Sequence, residues 1–121
     1  MNPIRVMIVD DHEIVREGLQ ILLAEEVEFD VVGIAGDGLT AQTLAAQLHP
    51  DVILMDLVMP DVDGIEATQR ILNANPTARV LILTTFAEDQ RVRDAIHAGA
   101  IGYLLKDVLK ADLLRALRDT A

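Results

Sequence analysis

Cysteine and tryptophan are absent from this 121-residue sequence. Without thiols there is no disulfide, no thiolate nucleophile and no sulfur-built zinc cluster, and a reducing compartment fits. Aromatics are nearly as scarce, with Phe29, Phe86 and Tyr103 the whole set. They give little to stack against a flavin ring. Basic residues are outnumbered, ten against twenty acidic ones, for a formal net charge of −10. Such a chain repels nucleic acid phosphates and anionic membranes unless its cations are segregated. They are not: Arg91, Arg93, Arg115 and Arg118 are scattered among acids, so direct DNA binding by this chain is not expected. No apolar run approaches the roughly 20 residues of a membrane span. The start, Met1-Asn2-Pro3-Ile4-Arg5, has no signal-peptide layout, so a cytoplasmic location without a membrane partner is expected. Gly/Ser-rich linkers and low-complexity tracts are missing as well.

What is present is a hydrophobic fraction of 51% beside 25% charged residues, the balance of a globular domain able to bury a core. Five short apolar runs recur: Ile4 to Val9, Phe29 to Ala35, Val52 to Met55, Val80 to Leu83 and Ile101 to Leu105. They are rich in Val and Ile and continuously apolar, as strands buried on both faces of a parallel sheet are. Between them lie stripes at helical spacing. Ile14, Val15, Leu19 and Leu22 form the first, Ala41, Leu44, Ala45 and Leu48 the second, and Ile65, Thr68, Ile71 and Leu72 the third. Val92, Ala95 and Ile96 begin a fourth, and Leu109, Leu113, Leu114 and Leu117 line a fifth. His49-Pro50, Asn75-Pro76 and Ala98-Gly99-Ala100 punctuate the ends of the second, third and fourth helices. Right-handed crossovers then predict an α/β fold, a (βα)5 three-layer sandwich. One domain over residues 1–121 is expected, with no output domain in the chain.

Ligands of open α/β sheets bind beyond the carboxyl ends of the strands. There the sequence places Asp10 and Asp11 after the first run, Asp56 after the third, Thr84 and Thr85 after the fourth and Lys106 after the fifth. Two carboxylates ~4 Å apart repel by about 4 kcal/mol at an effective dielectric near 20. Lys106 offsets one charge, and a divalent cation closes the balance. An all-oxygen donor set points to Mg²⁺. Such a group suits phosphoryl transfer: Asp56 as nucleophile on phosphorus, Mg²⁺ on Asp10, Asp11 and Asp56, with Lys106 and Thr84 taking phosphoryl oxygens. Taken singly, each residue has a plainer reading. Asp10 or Asp11 can be a helix cap, Thr84 a β-former and Lys106 a solvated charge. Only the combination argues for chemistry.

That combination carries a family resemblance. Asp10-Asp11, Asp56 within Leu54-Met55-Asp56-Leu57-Val58-Met59-Pro60, then Gly64, Thr84 and Gly102-Tyr103-Leu104-Leu105-Lys106 resemble the receiver domain of bacterial two-component response regulators. The likeness runs from Ile4 to Leu117. Asp10-Asp11-His12, Leu83-Thr84-Thr85-Phe86 and Gly99 to Asp107 resemble the subfamily with a C-terminal helix-turn-helix of the LuxR type. The resemblance implies a flavodoxin-like sheet of order 2-1-3-4-5 and a sensor histidine kinase that donates a phosphoryl group to Asp56. It implies Asp11, Asp56 and the Val58 carbonyl as direct Mg²⁺ ligands, with Asp10 acting through water. It also implies a switch pair, Thr84 and Tyr103, that reshapes the surface of the fourth helix, fifth strand and fifth helix. Control of transcription through a separate DNA-binding domain, and a homodimer formed on phosphorylation, are further expectations. Coupling of roughly 1 to 3 kcal/mol is typical for such a switch. Without the resemblance, Tyr103 reads as a core aromatic with its hydroxyl at the surface.

Departures accompany the likeness. Asp107 follows the lysine where many receivers have proline, often in a cis peptide, and cis before a non-proline costs about 2.5 to 4 kcal/mol. Thr85 and Val58 are unusual beside the path of an attacking water. Gly33-Ile34-Ala35-Gly36-Asp37-Gly38 has the wrong glycine spacing for a dinucleotide loop and reads as a turn into a helix. His12, His49 and His97 lack metal-ligand spacing and read as surface or capping residues. Met7, Met55 and Met59 read as core or loop filler, and Glu25-Glu26-Val27-Glu28 as a solvated helix end. Alternatives are an aspartyl-phosphate phosphatase, which commonly carries an acid where Val58 stands, and a phosphate-independent interaction module.

Overall fold

The computed structural model describes residues 2–85 and 90–121; Phe86, which closes the Leu83-Thr84-Thr85-Phe86 motif, lies outside them. Strands and helices alternate: β1 (Ile4–Val9), α1 (Glu13–Ala24), β2 (Phe29–Ala35), α2 (Gly38–Leu48), β3 (Val52–Asp56), α3 (Gly64–Ala74), β4 (Val80–Thr84), α4 (Gln90–His97), β5 (Gly102–Leu105) and α5 (Lys110–Thr120). The strands form one parallel sheet of order β2-β1-β3-β4-β5. This is the expected flavodoxin-like α/β sandwich.

Alternation along the three central strands builds the layers. Val6, Ile8, Val52, Leu54 and Leu81 meet Leu23 of α1 and Leu113, Leu114 and Leu117 of α5. Met7, Val9, Ile53, Met55, Val80 and Ile82 face the other way, onto Ala41, Ala45, Ala67, Ile71, Val92 and Ala95 of α2, α3 and α4. Small residues there let helices approach the sheet closely. Edge strands depart from the expected two-sided burial. β5 alternates between half-buried and exposed positions, because Leu104 turns into the α1/α5 layer while Tyr103 and Leu105 turn to the opposite, exposed face. Ile101 falls just outside it and is exposed, although its N–H donates to the Val80 carbonyl at 2.8 Å.

Two stripe residues also differ from expectation. Ile14 is 83% exposed, whereas Leu23 is fully buried. At about 100° per residue, nine positions place these two on opposite sides of α1. Leu109 is 72% exposed, since it is the N-cap of α5 and not part of its stripe. The punctuation holds. Asp37 caps α2, its carboxylate accepting from the Thr40 N–H at 2.7 Å, and Asp63 caps α3 through the Glu66 N–H at 2.9 Å. His49 ends α2 in the left-handed region and Asn75 ends α3. No peptide bond among the described residues is cis, so Lys106–Asp107 is trans. β1 and β3 lie side by side while their helices leave on opposite faces, which puts the ends of β1 and β3 at the switch point of the sheet.

Candidate functional site

The four strand ends bring the expected polar residues to one edge. Asp10 and Asp11 follow β1, Asp56 is the last residue of β3, Thr84 the last of β4, and Lys106 follows β5. Register fixes their depth: Asp56 pairs with Leu83 and Thr84 with Leu105, and the Lys106 N–H continues the ladder to the Thr84 carbonyl at 2.7 Å. Asp10, Asp56 and Thr84 are all buried. The Lys106 Nζ sits between two acids, 2.8 Å from Asp10 Oδ2 and 3.4 Å from Asp56 Oδ1.

Crowding of like charge in a buried place governs the electrostatics. Burial first, and the neighbouring Asp10 carboxylate second, push the Asp56 carboxyl up to about 6, with Lys106 opposing them. For Lys106 burial alone would lower the ammonium, but the Asp10 hydrogen bond and the charges of Asp56 and Asp10 outweigh it and hold the group above its ordinary value. One atom of each remaining carboxylate is left over. Asp56 Oδ2 and Asp11 Oδ1 are buried and without a hydrogen-bond partner. An orphaned buried carboxylate oxygen is costly unless a cation or donor meets it.

Two residues of α1 and its cap also belong to this neighbourhood: His12, expected at the surface or as a cap, and Arg16, which the sequence pattern does not single out. His12 is the N-cap residue of α1 but caps nothing with its ring. Its N–H donates to Asp10 Oδ1 at 2.8 Å, and its Nδ1 lies 3.1 Å from both Asp10 Oδ1 and Asp11 Oδ1. Ligand atoms of Asp10, Asp11, His12 and Asp56 all lie within 4.8 Å of one another. The absence of a spaced histidine partner hid this, since its partners are acids one and two residues away. Arg16, a turn further on, donates from Nη1 to the Asp10 carbonyl at 2.7 Å.

The loop after β3 is held tightly. The Gly64 N–H donates to the Leu57 carbonyl at 2.9 Å, and a Cβ on Gly64 would stand 2.1 Å from the Asp56 carbonyl oxygen. Only glycine permits that approach. Val58 projects its side chain into solvent, 44% exposed, and among the described residues no hydrogen bond occupies its carbonyl. Tyr103 is 45% exposed on β5, opposite Ile82 of β4.

These residues fit a divalent cation. Hard carboxylate oxygens dominate the donor set, one lysine leaves negative charge uncompensated, and two buried oxygens accept no hydrogen bond, Asp56 Oδ2 and, although the His12 ring lies 3.1 Å away, Asp11 Oδ1. Fold and site together therefore define a doubly wound α/β domain with a carboxylate–lysine centre at its switch point. Comparison with known proteins takes the definition further. The family model for the response regulator receiver domain matches residues 6–118, and the chain belongs to that family. The Bacillus subtilis (strain 168) transcriptional regulatory protein LiaR is 46% identical over 115 residues, covering 95% of this chain and 54% of LiaR. The chain thus spans about half the length of the curated relatives it matches. Among solved structures, a LuxR-family two-component response regulator from Aurantimonas sp. SI85-9A1 superposes with a TM-score of 0.91 at 38% identity, covering 98% of this chain and 84% of that one. A chain of the CheX–CheY–BeF3–Mg²⁺ complex from Borrelia burgdorferi gives 0.89 at 27% identity, covering 97% and 88%.

Proposed function

We propose that this receiver domain accepts a phosphoryl group on Asp56 from the phosphohistidine of a sensor histidine kinase. The carrying observation is the Asp56 carboxylate itself. It is buried at the end of β3, with Oδ1 beside the Lys106 ammonium and Oδ2 facing no partner. An ionised Asp56 oxygen attacks phosphorus, the bond from phosphorus to the donor imidazole breaks, and that electron pair leaves with the imidazole. Lys106 draws one phosphoryl oxygen and the Thr84 hydroxyl, at the end of the neighbouring strand, another. Asp11, Asp56 and the Val58 carbonyl would hold Mg²⁺, with Asp10 reaching it through water. Bound there, Mg²⁺ would supply positive charge to offset that of the phosphoryl oxygens.

The remainder of the reading concerns output. Thr84 and Tyr103 form the switch pair, their rearrangement biasing the surface of α4, β5 and α5 toward one of two states. Relatives named as transcriptional regulators and a LuxR-family neighbour support a DNA-binding partner domain as the recipient, with DNA reached only through it; a homodimer on phosphorylation completes the proposal. The domain, residues 1–121, acts in the cytoplasm as a signalling receiver and not as a turnover enzyme, because Val58 stands where an aspartyl-phosphate phosphatase would need its second acid. Among the described residues no helix is long and apolar enough to cross a membrane. Incubation with acetyl phosphate, with and without Mg²⁺, tests the assignment by intact mass. One phosphoryl adduct that needs both Mg²⁺ and Asp56 supports it; an adduct that persists in Asp56→Asn refutes it.

A further inference from the structure

Asp10 is the most constrained residue of the site. Its N–H donates to the Ala35 carbonyl at 3.1 Å, His12 N–H holds Oδ1 at 2.8 Å and Lys106 holds Oδ2 at 2.8 Å. The fourth restraint comes from Arg16, whose Nη1 donates to the Asp10 carbonyl at 2.7 Å. That guanidinium makes no ion pair among the described residues. Its cation is therefore not spent on a carboxylate but is set against a backbone dipole beside three acids. Beside that same Nη1 lies Gly36, the residue that follows β2. A Cβ there would stand 3.0 Å from Arg16 Nη1 and 3.6 Å from Cζ. Gly36 does not occupy the left-handed region, so its backbone does not demand glycine. The room it leaves is filled by the guanidinium.

We infer that Arg16 is a positioning residue for the acidic pair: it pins the turn between β1 and α1 against the end of β2, so that Asp10 and Asp11 face Asp56 with their oxygens preset for a divalent cation. This rests on the function proposed above and adds to it a residue that touches neither phosphoryl group nor metal. An arginine that merely covers α1 would affect folding stability and leave cation affinity alone. A positioning residue affects affinity, since partners that orient ligands typically matter 10- to 100-fold. Arg16 suits the task because its planar fork reaches past its own helix turn to a carbonyl that a shorter donor would miss.

The test is Mg²⁺ affinity, measured by calorimetric titration of the wild type, Arg16→Met, Arg16→Lys and Gly36→Ala, with urea unfolding alongside. Methionine keeps the length and helix propensity without donor or charge. Arg16→Met is expected to bind Mg²⁺ about 10-fold more weakly, and Arg16→Lys, whose ammonium falls short of the Asp10 carbonyl, to recover little of the loss. Gly36→Ala, which crowds the guanidinium without touching Asp10, is expected to reproduce the weakening, and the Gly36→Ala/Arg16→Met double variant to be no weaker than Arg16→Met alone. Amide exchange at Asp11 and His12 in the metal-free protein rises in the same variants. Unchanged affinity in both Arg16→Met and Gly36→Ala overturns the inference while a Mg²⁺-dependent phosphoryl adduct on the wild type leaves the function standing. A wild type that binds no Mg²⁺ and takes no phosphoryl group overturns both. Should Arg16→Met fail to unfold cooperatively, Gly36→Ala and Arg16→Lys decide the matter.

Discussion

Replacing Asp56 by asparagine should make the metal-free protein more stable, and by an amount that depends on pH. The Asp56 carboxyl is 4% exposed and is pushed from an ordinary 3.8 up to about 6, mainly by burial and next by Asp10. The folded protein therefore holds this proton more tightly than the unfolded chain does. Stability from this group is fully present below pH 3.8 and is lost as pH rises through about 6. At 1.36 kcal/mol for each tenfold in proton affinity, the folded state at pH 7.5 carries a cost of about 3 kcal/mol. Asparagine keeps the shape without the charge, so Asp56→Asn should gain most of that sum, on the order of 10 °C in Tm for a domain of this size. Thermal unfolding in EDTA at pH 4 and at pH 7.5 measures it. The gap between variant and wild type should be large at pH 7.5 and nearly vanish at pH 4. Saturating Mg²⁺ should narrow it at pH 7.5 by stabilising the wild type more than the variant. A variant no more stable than the wild type at pH 7.5, or a gap that ignores pH, would refute the buried-charge account.

Other perturbations follow from the same geometry. Lys106→Met removes the ammonium placed 2.8 Å from Asp10 and 3.4 Å from Asp56; Asp56 then holds its proton still more tightly, and phosphorylation by acetyl phosphate at pH 7 should slow on the order of 10²-fold, read as the rate of adduct formation by mass. Gly64→Ala would place a Cβ 2.1 Å from the Asp56 carbonyl oxygen, so urea unfolding should show a loss of about 1 to 3 kcal/mol and the adduct should form more slowly. Asp37→Ala removes the α2 cap bonded to Thr40 and should cost about 1 kcal/mol in urea at neutral pH. Hydrogen bonds from the Thr40 backbone and hydroxyl hold Asp37 below the usual carboxylate range, so that contribution is present above its ordinary value and fades as pH falls through the lowered one.

Legibility in the sequence followed the physics of burial. Central strands such as Ile53 to Met55 sit between two helical layers, so their side chains must be apolar on both faces and the run announces itself. β5 sends Leu104 into one helical layer and exposes Tyr103 and Leu105, so its apolar run from Ile101 does not signal two-sided burial. Ile14 fits the α1 stripe by spacing, but aliphatic identity says nothing about side; the position of Leu23 decides it. Asp10, Asp11, Asp56, Thr84 and Lys106 were legible because strand ends in an open sheet share one edge. His12 and Arg16 were not. Their roles depend on where a ring and a guanidinium turn after a loop, and neighbours one to six residues away leave no spacing signature. Gly36 was equally silent, since its meaning lies in what occupies the space beside it.

The central claim is that Asp56 carries the phosphoryl group. Borohydride reduces an acyl phosphate to the alcohol, so treatment of the acetyl phosphate-reacted protein converts the acceptor aspartate to homoserine, which peptide mass spectrometry locates. Homoserine at position 56, formed only when Mg²⁺ was present during the reaction, is the predicted result. Homoserine at Asp10, Asp11 or any other position, with position 56 still aspartate, would contradict the account.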